Sequence, residues 1–75
     1  MKLIDILKIT EPATWINLHD KNLNRIAVYQ AQDMLTSSYC ADKLNCRVIG
    51  INPGDKLNTG VGIITEPFLF ITINV

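Results

Sequence analysis

The run Phe68-Leu69-Phe70-Ile71-Thr72-Ile73-Asn74-Val75 constrains this chain more than any other feature. Side chains along a β-strand alternate between two faces. Leu69, Ile71, Ile73 and Val75 therefore share one face, and Phe68, Phe70, Thr72 and Asn74 the other. An aliphatic row of that length has to be covered by a second layer. A short amphipathic segment lies at the other end of the chain. Within Lys2 to Ile9, Leu3, Ile6 and Leu7 fall at i, i+3 and i+4, with Asp5 and Lys8 on the opposite side. Two helical turns do not persist alone in water, so this helix is expected to lie on the sheet. Pro12 ends it.

The segments between follow the same logic. Thr14 to His19 reads as a strand with Ile16 and Leu18 facing inward and Trp15, Asn17 and His19 facing outward. Asp20 to Asn24 is rich in turn formers. Arg25 to Gln30 reads as a second strand, with Ile26 and Val28 inward and Arg25, Ala27 and Tyr29 outward. Ala31 to Leu44 reads as an irregular connection with one or two helical turns. Met34 and Leu35 are its core candidates, and Ser38 is a candidate cap for a turn over Tyr39 to Leu44. Cys46 to Ile51 is a third strand. Asn52-Pro53-Gly54-Asp55 is the strongest turn signal in the chain, and Lys56 to Gly60 extends the loop. Val61 to Thr65 is a fourth strand, weakened by Gly62. Pro67 separates it from the final strand. No helical crossover is long enough to join parallel strands, so antiparallel pairing is expected. The prediction is one α+β domain over residues 1–75. A short N-terminal helix packs on a small, mostly antiparallel five-stranded sheet or partly open barrel.

A chain of 75 residues and 8.4 kDa should fold to a surface of roughly 4,600 Å². Its core is small, which favours self-association. Seven basic residues balance seven acidic ones. Zero net charge gives no general pull toward nucleic acid or anionic lipid, and does little to oppose association. A homo-oligomer is therefore expected and a nucleic-acid partner is not. No signal peptide is recognisable near Met1, and no run approaches the ~18 apolar residues of a membrane span. A cytoplasmic protein is expected on these grounds. Cys40 and Cys46 are then read as reduced, structural thiols, with a disulfide as the geometric alternative.

The chemistry-bearing residues are sparse. His19 is the single histidine and stands beside Asp20, a neighbour that would raise its pKa. No nucleophile can be placed next to it, and it reads as an exposed residue entering a turn. His19, Cys40 and Cys46 do not have zinc-site spacing. Gly60-Val61-Gly62 leads into strand, not into the helix a phosphate cradle needs. The carboxylates are scattered. The chain is accordingly read as non-enzymatic, with no cofactor and no metal. Trp15, Tyr29, Phe68 and Phe70 all oppose the aliphatic core rows; either a tightly closed barrel or the helix buries them, or they form an exposed apolar surface of the kind that marks a contact with a partner or a second copy. The alternative site is a ligand loop in which Gly54 and Gly60 offer backbone donors and Arg47 and Lys56 offer charge, suited to a nucleotide signal or other small molecule.

Four pieces carry a family resemblance: Met1-Lys2-Leu3-Ile4-Asp5-Ile6-Leu7, Ile16-Asn17-Leu18-His19-Asp20, Asp33-Met34-Leu35 and Ile71-Thr72-Ile73-Asn74-Val75. Together they resemble a group of tiny proteins common in Firmicutes and their phages. Those proteins begin with a Met-Lys-Leu-x-Asp-Leu-Leu helix and end in an alternating strand. The resemblance runs thinly from end to end and departs at the long Asn52 to Gly60 loop. It implies a small phage or prophage binding protein directed at a host protein, including inhibitors of bacterial defence systems. It transfers no site residue.

Overall fold

A computed structural model describes residues 1–58 and 60–75. Helix α1 spans Leu3–Ile9, β1 Trp15–His19, β2 Arg25–Gln30 and α2 Ala31–Thr36. A 3-10 turn covers Ala41–Lys43. Then come β3 (Val48–Gly54), β4 (Leu57–Asn58), β5 (Ile63–Ile64) and β6 (Phe68–Ile73). The first, second, third and sixth strands form one sheet in the order β2-β1-β6-β3, and β4 pairs with β5 in a separate two-stranded ladder. The architecture is α+β, as expected, but the main sheet has four strands, is mixed, and does not close into a barrel. The accessible surface is 4584 Å², close to the value the mass implies.

The helix stripe is as predicted. Leu3, Ile6 and Leu7 are buried and join Ile16, Leu18, Ile71 and Ile73 in one core, with Ala31, Met34 and Cys40 of the middle segment. The helix starts where other backbone groups receive its free donors. The N–H groups of Leu3 and Ile4 donate to the carbonyls of Cys46 (3.0 Å) and Leu44 (2.9 Å). The Asp5 carboxylate accepts from the Lys2 N–H at 3.1 Å, a negative charge in the first turn where the helix dipole favours it. Val48 N–H donates to the Met1 carbonyl at 2.8 Å, so the N-terminus also covers the start of edge strand β3.

Four expectations about pairing need correction. First, β1 and β6 run parallel, with Trp15 opposite Phe68 and Leu18 opposite Ile71. The connection is not a single crossover helix; everything from β2 to β5 intervenes. Second, β2 has the opposite phase. Ile16 pairs with Tyr29 and Leu18 with Ala27, and paired residues share a face. Ala27 and Tyr29 therefore face the core, and Val28 faces away. A bulge between Leu18 and His19 inserts Ile26, which also packs against the core. Third, Asn52-Pro53-Gly54 is not a turn but the last part of β3, paired with Phe70, Leu69 and Phe68. Proline lacks a ladder donor, and an edge strand is where that is tolerated. Fourth, Val61 to Thr65 shortens to Ile63–Ile64 and leaves the main sheet. Val75 lies beyond β6 and is exposed.

The middle segment holds one true helical turn and a half. Met34 is fully buried and Leu35 packs beside the core. Ser37, not Ser38, supplies the hydroxyl at the following turn, accepting from Tyr39 N–H at 3.2 Å. Cys40 and Cys46 are both free thiols. Burial pushes the Cys40 thiol pKa up.

Candidate functional site

Both helices pack on one face of the sheet, so the other face is left for the rest of the chain. Alternation and register put Trp15, Asn17 and His19 of β1 on that second face. Beside them stand Val28 and Arg25 of β2, Phe68, Phe70 and Thr72 of β6, and Gly54 of β3. The β4–β5 ladder lies against part of it. A groove of about 580 Å³ opens between them. Trp15, Val28 and Arg25 form the sheet side, and Val61, Gly62, Ile63 and Ile64 the hairpin side. The walls are apolar apart from the Arg25 guanidinium. Val61 is 99% exposed and Ile63 is also exposed, so two aliphatic side chains stand at the rim.

Asn17 lies on the same face beside the groove without lining it, two positions from Trp15 on β1 and directly across from Val28. It is only 5% exposed, and its side-chain Oδ1 has no hydrogen-bond partner among the described residues. Such an atom costs free energy unless something satisfies it.

His19 follows on the same face and is 8% exposed, not the open turn residue predicted. Its ring stacks on Phe70 with centroids 4.2 Å apart and planes 13° from parallel. Burial lowers its pKa below the ordinary 6.5; the nearby Asn17 carbonyl opposes this, Arg25 adds to it, and Asp20 opposes it weakly. The expected upward shift from Asp20 is thus outweighed by desolvation. Nδ1 completes no hydrogen bond of ordinary geometry among the described residues. Asp20 instead serves the turn. Its Oδ1 accepts from the N–H groups of Asn22 and Asn24, both at 2.9 Å, and the Asn24 bond above all holds its carboxyl below the usual range.

The four aromatic candidates do not form one exposed patch. Trp15, Phe68 and Phe70 share the second face, but Tyr29 faces the helices and packs against the core. Phe68 is buried over Gly54, and Phe70 is half-buried on His19. Trp15 alone of the four lines the groove. The loop candidates are also dispersed. Arg47 bridges Lys2 at one end of β3 and Gly54 ends the same strand. Six residues of strand, roughly 20 Å, lie between them. Gly54 is covered by Phe68, and the hollow beside it, about 360 Å³, is lined by Pro53, Gly54 and acidic Asp55. Lys56 is exposed just before β4 and Gly60 is exposed between β4 and β5; Thr59 lies outside the described residues. These four residues do not converge on an anion.

Sequence reasoning missed Arg25, Asn17, Val28, Val61, Ile63 and Ile64. Val28 was hidden by the strand phase. The signal for Val61 was its position between Gly60 and Gly62, which leaves a lone aliphatic side chain on a loop with nothing beside it to bury it. No cluster of three or more metal-ligating side chains occurs among the described residues, and no helix is long and apolar enough to cross a membrane. Comparison with protein-family models, curated proteins and solved structures finds no match to this chain.

Proposed function

We propose that this chain is a small non-enzymatic binding protein that works in the bacterial cytoplasm through protein–protein contacts. The contact face is the helix-free side of the sheet together with the β4–β5 hairpin. The observation that carries this reading is the apolar groove between Trp15 and Val28 on one side and Val61, Ile63 and Ile64 on the other. Aliphatic side chains this exposed beside an open apolar groove are the composition of an interface centre, not of ordinary surface. The resemblance to Firmicutes and phage proteins supports a phage or prophage origin and a host target, a defence component in particular. The test compares what the wild type and the Val61→Asp variant retain from a bacterial lysate. A partner held by the wild type and lost by the variant is expected; identical sets would overturn the reading.

A second reading is a small-molecule binder, such as a sponge for a nucleotide signal. The groove volume, about 580 Å³, falls within the ~300–1,000 Å³ of small-molecule sites. Its apolar walls and single cation suit a nucleotide poorly. Thermal-shift measurements against cyclic dinucleotides separate the readings, because a ligand well above its Kd raises the melting point by mass action. An unchanged melting point leaves protein contact ahead.

A further inference from the structure

We propose that the occupant of the groove is a second copy of this chain, docked about a twofold axis. Each Val61 enters the groove of the other copy, and each Arg25 meets the other copy's Glu66. This rests on the reading of the second face as a contact surface and adds what it contacts.

A twofold interface uses one patch on both copies, so the patch has to be complementary to itself. This one is. The hairpin that supplies one wall of the groove also carries Val61, 99% exposed, on its rim. Projection and recess therefore belong to the same few residues, and a half-turn brings one against the other. The charges agree. Arg25 is exposed, is the only charged side chain lining the groove, and has no ion-pair partner among the described residues. Glu66 is exposed two positions after β5 and likewise has no such partner. Zero net charge raises no general barrier to pairing. The hairpin also needs the help. Its strands are two residues each, and a two-stranded ladder is marginal in water on its own. Burying its tip against a second copy would stabilise both hairpins at once.

The experiment is sedimentation velocity over a wide concentration range on the wild type, Val61→Asp, Arg25→Glu, Glu66→Arg and the Arg25→Glu/Glu66→Arg double variant. The wild type is expected to dimerise and Val61→Asp to remain monomeric. Each single charge reversal should weaken the dimer by about tenfold, and the double variant should recover most of that loss. All three positions are exposed, and circular dichroism confirms that each variant is folded. Emission of Trp15, the sole tryptophan, gives a second readout: its blue shift with rising concentration should vanish in Val61→Asp. A wild type that is monomeric throughout, a dimer indifferent to Val61→Asp, or a double variant no tighter than the singles overturns the inference. If the wild type is monomeric but Val61→Asp still loses a lysate partner, the contact face stands and only the second copy is excluded. If neither property responds, both readings fail.

Discussion

Phe68 lies opposite Gly54 across the β3–β6 pair, and its ring rests on the bare α carbon of that glycine. A methyl group at residue 54 would overlap ring carbons Cζ and Cε1. The glycine is therefore required for the close approach of a ring, and its φ is not the reason. Gly54→Ala should destabilise the fold by about 1–3 kcal/mol through overpacking. Combined with Phe68→Ala, it should cost less than the two single changes added together, because the ring it strikes is gone. Urea unfolding of the two single variants and the double variant checks this.

His19 makes stability depend on pH. Its folded pKa lies below the ordinary 6.5, so the unfolded chain binds a proton that the folded chain resists. The stability contributed by burying the neutral ring is present above the unfolded value. It is lost as pH falls through that value toward the folded one. The urea midpoint should therefore fall as pH drops below about 6.5. His19→Phe keeps a ring for Phe70 to stack on and should flatten that part of the profile. A profile of the same shape in the variant would exclude His19 as the cause. Asp20 acts lower. Its depressed pKa gives stability that is lost only as pH falls below the ordinary 3.8.

Leu23 carries the only positive φ among the described non-glycine residues, 65°. It is exposed, so the side chain recovers nothing by burial. Leu23→Asn should stabilise the protein by about 0.5–1 kcal/mol, because asparagine tolerates the left-handed region far better than a γ-branched apolar residue. The gain would appear as a higher melting temperature with unchanged oligomeric state.

β6 is an interior strand with partners on both sides. Ile71 is fully buried at its centre, and Ile71→Ala should cost about 2–5 kcal/mol. A chain that stops before Phe68 should show no cooperative unfolding transition in calorimetry.

The sequence disclosed what depends on local periodicity. The stripe Leu3/Ile6/Leu7 and the inward row Leu69/Ile71/Ile73 could be read directly, because each turns residues into the buried core; the bounds Arg25–Gln30 could be read from the turn formers before them. It hid what depends on pairing. The phase of β2 turns on a bulge at Ile26, and one inserted residue exchanges the faces of Val28 and Tyr29. Pro53-Gly54 carries every local mark of a turn. Its strand geometry comes from pairing with Leu69 and Phe68, and tertiary context overrode propensity. The groove was hidden for the same reason. Its two walls are distant in sequence, and only the packing of the hairpin against the sheet brings Val61 to Trp15. The burial of His19 depends on neighbours from β6 that no local window contains.

The parallel pairing of β1 with β6 also has a temporal consequence. Trp15 meets Phe68, more than two-thirds of the chain away. No hairpin can nucleate that pair, and its loop-closure cost must be met before the contact stabilises anything. The β1–β2 hairpin can form early, but its exposed edge waits for β6. During synthesis β1 emerges well before its neighbour, and for that interval the chain displays an unpaired apolar strand edge. Folding is then limited by the arrival of the last strand, and this interval is when the protein is most exposed to aggregation and to chaperone capture.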